Sequence, residues 1–242
     1  DLFRPTGHYV TGWRKPWHLA RRRWIPESRA MDTPVPPGSV IEFRGMEDKF
    51  APFLEDHRLV YEELLAITRP IHLGALSEPD PAPVGIHVRR GDFVQQASYS
   101  DMVNVDNSVL PIEWYTGTLR AVREKCGQEV PAFVFSDGTE DELANLLALP
   151  AVTRKDYGSG LGDMLGLSRC RLLIASGSTF SMWGSYLGQV PTLWHPKKRL
   201  QHLLMDHPEF EIEWARGEPL PDWIPDIIRG GAGPAPSSRR GD

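Results

Sequence analysis

A chain of 242 residues, 40% hydrophobic and 24% charged, can bury a core and has the balance of a folded protein rather than a disordered or fibrous one. Its net charge of -5 supplies no extended positive field, which argues against nucleic acid as a general partner. Two cysteines, Cys126 and Cys170, are too few for a disulfide framework or a zinc site built on cysteine spacing, and they fit a reducing compartment. No stretch approaches the roughly 20 apolar residues of a membrane helix, the first residues lack the basic-then-apolar run of a secretory signal, and no Asn-x-Ser/Thr glycan acceptor occurs. The expectation is a cytoplasmic chain without a membrane span. It begins at Asp1 rather than Met, which leaves room for an upstream segment.

In chain order, residues 1–38 are rich in Trp, Arg and Pro without a sustained period, and read as irregular or packed against something else. Within them Arg21, Arg22 and Arg23, between Trp17 and Trp24, read as a solvated Arg face in preference to a basic aromatic surface for nucleic acid. Val40 to Phe43 is expected as a short strand, and the alternation around Leu59, Leu64, Leu65 and Ile67 as a helix that stops before Pro70. Three prolines between Ser77 and Pro83 then mark a boundary.

Beyond it, strand and helix alternate. Val84–Val88 is an apolar strand, and a helix starting at Pro111 puts Ile112, Tyr115, Leu119 and Val122 on one face. Ala132 to Phe135 is a second strand, followed by a helix capped by Thr139 and carrying Leu143, Leu146 and Leu147. A weak strand around Ala151 to Thr153 leads to a helix from about Leu161 to Cys170; Leu172–Ala175 is another buried strand. Ser178 or Thr179 caps a helix ending at Gly188, and Pro191 to Trp194 is expected as the last strand. From Ile227 onward the composition cannot bury a core and reads as a flexible tail. The expected parts are 1–83, 84–228 and 229–242. No internal repeat of solenoid length is visible.

Alternation of this kind predicts an α/β fold with a doubly wound parallel sheet, whose ligands sit outside the carboxyl ends of the strands. The strand ends are polar: Arg89, Arg90 and Asp92 after the first, Ser136 and Asp137 after the second, Asp156 after the third, Ser176 and Ser178 after the fourth, His195 after the fifth. Gly91 lets the chain leave the sheet, so that one of the adjacent arginines faces a ligand while the other braces it. Guanidinium forks match phosphate oxygens, and a diphosphate leaving group gains charge as its glycosidic bond breaks. The sequence contains no Asp-x-Asp, so Arg89 and Arg90 would take the place of a metal.

The helix start at Ser178, Thr179, Phe180 and Ser181 offers further anion contacts, a role compatible with simple capping. Asp137, Asp156 or Asp163 can accept hydrogen bonds from base or ribose. His87, inside an apolar strand, is either a satisfied core histidine or a ligand contact; Phe180 and Trp183 read as core residues, with guanine stacking as the alternative. Asp101, Asp106 and Glu113 are nearby carboxylates, none of which stands out as a base. The tripeptides Arg90-Gly91-Asp92 and Arg240-Gly241-Asp242 spell an adhesion motif, but matches of three residues arise by chance and the first belongs to the anion site.

Four pieces, Ile86 to Phe93, Phe133 to Asp137, Gly162 to Cys170 and Ile174 to Gly184, together resemble the fucosyltransferases with a His-x-Arg-Arg-x-Asp motif. The likeness is to the bacterial-type α-1,2-fucosyltransferases, glycosyltransferase family 11-like, and more distantly to α-1,6- and protein O-fucosyltransferases. A weaker echo is Glu42 to Phe50, and the whole covers roughly Val40 to Pro196.

The resemblance implies a GT-B fold in which 84–228 is a Rossmann-like donor domain and 1–83 a small or incomplete acceptor-side region. It implies transfer of L-fucose from GDP-β-L-fucose to a sugar hydroxyl of an oligosaccharide or glycan, in α-1,2 linkage, with inversion and without metal or cofactor. Arg90 would contact the diphosphate, with His87 and Asp92 supporting it, so Arg90 and Asp92 are the catalytic candidates. His87, Arg89, Arg90, Ser136, Asp137, Asp163, Ser178, Thr179, Phe180 and Ser181 would line the donor site. The Gly-Asn-Gln-Met-Phe-Gln segment of bacterial relatives is absent and the region before Val40 is short, so a truncated chain is expected. The alternatives are a non-catalytic nucleotide-sugar-binding remnant and a glycosyltransferase that uses another GDP-sugar.

Overall fold

The computed structural model describes residues 2–4, 14–21, 23–26, 29–30, 33–42, 49–79, 82–91 and 109–231. Near the start, helix α1 (Arg14–Arg21) precedes a small parallel ladder of β1 (Trp24–Pro26) and β2 (Val40–Glu42), with Ile25 opposite Ile41. The expected strand at 40 is therefore present, and the stretch before it is less irregular than its composition suggests. An eight-residue helix and a three-residue strand are too short for a period to register. Helix α2 (His57–Ile67) ends as expected, with Thr68 extended ahead of Pro70.

Six strands form the main sheet: β3 (Val84–Val88), β4 (Ala132–Ser136), β5 (Val152–Arg154), β6 (Leu172–Ala175), β7 (Thr192–Trp194) and β8 (Glu211–Glu213). Their order is β5-β4-β3-β6-β7-β8, and every neighbouring pair is parallel. Within this sheet the chain order runs third, second, first, fourth, fifth, sixth, the doubly wound order of dinucleotide-binding proteins. The α/β expectation holds, with one correction: β7 does not close the sheet. Glu211-Ile212-Glu213 shows no apolar run because its first side chain, a buried glutamate, accepts the backbone N–H groups of Leu203 at 2.7 Å and Leu204 at 3.1 Å.

Helices cover both faces. On one side α3 (Ile112–Cys126), α4 (Glu140–Leu147) and the short α7 (Ile224–Ile228) bury Tyr115, Leu119, Val122, Leu143, Leu146, Ile224 and Ile228 against Val84, Ile86 and Val134. Helix α4 is begun by a capping box, Thr139 and Glu142 each bonding the other's backbone. On the opposite side lie α5 (Gly160–Ser168) and α6 (Thr179–Gly188), capped by Ser159 and Ser178. They approach so closely that a Cβ on Gly184 would stand 2.8 Å from Leu167 Cβ, and one on Gly188 would strike the Ser168 carbonyl.

Residues 49–79 lie on this second face. Phe50 and Phe53 join Trp183 and Tyr186 in a ring cluster, and Tyr186 donates its hydroxyl to the Phe53 carbonyl at 2.6 Å. Arg169 bonds the Ala75 carbonyl at 2.8 Å, and Lys155 pairs with Glu78 at 2.8 Å. The proline-rich boundary thus marks a change in chain course, while the segment before it is packed onto the sheet domain. No helix among the described residues is long and apolar enough to cross a membrane.

Candidate functional site at the switch point of the sheet

Strands β3 and β6 are neighbours, but the chain leaves β3 for α3 on one face and β6 for α6 on the other. The carboxyl ends of these two strands therefore open a crevice, the usual ligand position in such sheets. Arg89 and Arg90 follow β3 directly.

Asp137, at the end of β4, binds the motif twice. One carboxylate oxygen accepts the Arg90 backbone N–H at 2.8 Å, and the other pairs with the Arg89 guanidinium at 2.6 Å. Gly91 is required by this contact, since a Cβ there would collide with the Asp137 carboxylate. Asp137 is itself held by its own loop. Ser136 donates its hydroxyl to the Val88 carbonyl at 2.6 Å and accepts the Gly138 N–H at 3.0 Å. From β5, Arg154 reaches the Ser136 and Gly138 carbonyls at 3.1 and 2.9 Å and pairs with Glu140.

Arg90 differs from Arg89. Its stem lies over Gly138, where a Cβ would come 2.8 Å from Arg90 Cγ, and its guanidinium forms no ion pair among the described residues. Its Nε is buried without a hydrogen-bond partner, a state that costs about 1–3 kcal/mol or more for a charged group. Such atoms are rare enough to call for a reason.

On the β6 side, His87 is 4% exposed, with Nδ1 lying 2.7 Å from Ser181 Oγ, 3.0 Å from Ser176 Oγ and 3.4 Å from Ser178 Oγ. Phe180 stacks on its ring at 4.7 Å. Burial drives the His87 pKa down to about 3, against a raising effect of Asp137, so the ring is neutral near pH 7. Ser178 also caps α6 through the Ser181 N–H, so the hydroxyls of Ser178 and Ser181 are bonded within the cluster. Thr179 is half-buried at the same helix start and forms no side-chain hydrogen bond among the described residues.

Helix α5 begins beside this cluster, with Gly160 next to the Phe180 ring. Asp163, in its first turn, accepts the Tyr157 N–H at 2.7 Å, and burial raises its pKa. Asp156 accepts the Gly158 N–H at 2.7 Å, so both carboxylates brace the turn between β5 and α5. Glu113 is exposed on the first turn of α3, while Asp92, Asp101 and Asp106 lie outside the described residues. No group of three or more His, Cys, Asp or Glu side chains is placed to hold a metal ion among the described residues. A guanidinium beside a helix N-terminus can take a phosphate without one.

Residues 41–215, from β2 past β8, match the model of glycosyl transferase family 11. The chain belongs to glycosyl transferase family 11. Two curated relatives place it among named proteins. It is 27% identical over 158 residues to the O-antigen biosynthesis glycosyltransferase WbnK of Escherichia coli, covering 61% of this chain and 51% of that one. It is 27% identical over 232 residues to galactoside alpha-(1,2)-fucosyltransferase 1 of Lagothrix lagotricha, covering 87% of this chain and 58% of that one. The chain spans about half the length of these relatives. A solved structure of POFUT1 in complex with GDP aligns over 53% of this chain and 46% of that one, at 17% identity and a TM-score of 0.33, too low to bear on fold or function.

For this family 11 chain, the strand-end logic of the sequence finds Arg89, Arg90, Ser136, Asp137, Ser176 and Ser178 in one region. It misses two residues near these strand ends. Arg154 clamps the Asp137 loop, with no sequence signal beyond its place at the end of a strand. Lys198, four residues past the end of β7, is buried against Gly177, whose missing side chain lets it approach; the basic run Lys197 to Arg199 was its signal.

Proposed function

We propose that this chain transfers L-fucose from GDP-β-L-fucose to a sugar hydroxyl of a glycan acceptor, in α-1,2 linkage, with inversion and without metal or cofactor. The observation that carries the reading is Arg90: a guanidinium at the switch point of the sheet, fixed at its stem and uncommitted to any acid among the described residues. The names of the family 11 relatives, one of them an α-1,2-fucosyltransferase, supply the sugar and the linkage.

In this reading the acceptor hydroxyl oxygen attacks C1 of fucose from the face opposite the diphosphate and gives up its proton to solvent water. The C1–O bond breaks, and GDP leaves carrying the additional negative charge. Arg90 offers a preorganised cation where that charge develops, stabilising the transition state more than the ground state. Arg89, tied to Asp137, braces the motif, and the amides at the start of α6 add the positive end of a helix dipole. The nucleoside is assigned to the mouth between α5 and α6, beside Asp163, Thr179 and Phe180.

Calorimetric titration of GDP-fucose, GDP and GDP-mannose in the presence of a chelator tests this. Micromolar binding of GDP-fucose, tighter than GDP-mannose, is expected, and Arg90→Ala should weaken it by about 10- to 100-fold, the value of a charge-assisted bond. No binding by the folded protein would overturn the donor assignment. One rival is donor binding without turnover. Release of GDP in the presence of a galactoside acceptor separates the two.

A further inference from the structure

Arg154 is the last residue of β5, the edge strand of the sheet, and stands opposite Val134 in the last β4–β5 pair. Past that pair the ladder stops on this side, and the Arg154 side chain takes over. Its Nη2 donates to the carbonyls of Ser136 and Gly138, the residues on either side of Asp137, at 3.1 and 2.9 Å. Its Nη1 pairs with Glu140, in the first turn of α4, at 2.8 Å. The loop held in this way seats Arg90. Asp137 accepts the Arg90 backbone N–H at 2.8 Å, and Gly138 runs beneath the Arg90 stem, where a Cβ would stand 2.8 Å from Cγ and 3.4 Å from Cβ. From the other side Ser136 ties the same loop to the Val88 carbonyl of β3 at 2.6 Å.

We propose that Arg154 is a positioning residue for the donor diphosphate: by fixing the carbonyls of Ser136 and Gly138 it sets the loop that holds Arg90, and so aims the Arg90 guanidinium. This rests on the donor reading above. Stability alone is a poor account of Arg154, because its ion pair with Glu140, 72% exposed at the side chain, contributes little in water. The two carbonyl bonds act differently, since they decide where Asp137 and Gly138 lie and therefore where the Arg90 stem begins. A preorganised cation stabilises developing charge only while its place is kept, and a misplacement of about 1 Å can cost about 100-fold. An arginine suits the task because its planar fork reaches Glu140 with one nitrogen and both carbonyls with the other. Ser136 keeps its own bond to β3 when Arg154 is replaced, so the loop loses one of two braces and the sheet keeps its order.

The test is a thermodynamic cycle on the GDP affinity of the full chain, measured by calorimetry. Arg154→Ala should weaken GDP binding about tenfold, a coupling usual within one hydrogen-bonded network. In an Arg90→Ala background the same change should cost nothing further, because the guanidinium it aims is gone. Arg154→Lys keeps the charge but not the fork, so it should fall close to the alanine level, and it carries the same cycle if the alanine variant does not fold. Unchanged GDP affinity in Arg154→Ala overturns the proposal, and full affinity in Arg154→Lys does so too by making charge sufficient. A loss repeated in full in the Arg90→Ala background also overturns it, since that marks a direct phosphate contact or general damage to the site. If the unsubstituted chain fails to bind GDP, the donor reading falls first and the role of Arg154 with it, a result visible before any variant is made.

Discussion

His87 shows how burial assigns a role to a titratable side chain. Its ring lies among three serine hydroxyls and the Phe180 ring, and desolvation lowers its pKa from 6.5 to about 3. The unfolded chain takes up a proton near pH 6.5 that the folded chain refuses until about pH 3. Stability from this residue is therefore complete above about pH 6.5 and is lost as pH falls below it, by up to about 1.4 kcal/mol per pH unit. His195, also buried with a lowered pKa, acts in the same direction. The expected result is that His87→Asn, which keeps a polar group towards the serines, shows a shallower fall in stability between pH 6.5 and 5 than the unsubstituted chain. Urea unfolding at several pH values measures it, and equal slopes would remove His87 from the account. Its Nδ1 is satisfied inside the protein by serine hydroxyls. The arginine pair was legible because strand ends are where parallel sheets bind ligands.

At the scale of elements, local chemistry decides starts and stops, and close packing decides glycines. Thr139 and Glu142 announce α4 by themselves, and Ser178 announces α6, because capping involves residues three apart. The α5–α6 contact has no such local signature. Gly188 ends α6 where the Ser168 carbonyl occupies the space of a side chain, and that carbonyl is backbone and cannot rotate away. Gly188→Ala should therefore destabilise the protein by about 1–3 kcal/mol or more, although alanine is the better helix former. Chemical denaturation checks it, and an unchanged or raised midpoint would mean that the two helices have room to separate. Strand β8 marks the opposite limit. Three residues with a buried glutamate carry no β-period, and only pairing with β7 makes them a strand.

For the molecule as a whole, the segment before the proline-rich boundary is part of the packing. Phe50, Phe53, Tyr61 and Ala75 cover the outer face of α5 and α6, and without them Met182, Trp183 and Tyr186 would face water. A chain shortened to begin at Val84 should accordingly unfold at lower temperature and bind hydrophobic dyes. Each large side chain exposed forfeits about 1.5–3 kcal/mol. Equal melting temperatures for the short and full chains would show instead that residues 84–228 stand alone.

The sequence by itself determined the succession of strands and helices, their caps, and the polar strand ends, because these depend on periods of two and 3.6 residues and on contacts a few residues apart. Tertiary structure alone decided the strand order that places β3 beside β6, the sixth strand, and the grip of Asp137 on Arg89 and Arg90 across 47 residues of chain. Those features arise from register and from which faces are left to bury, and such choices are made between segments, where no local pattern of residues can record them.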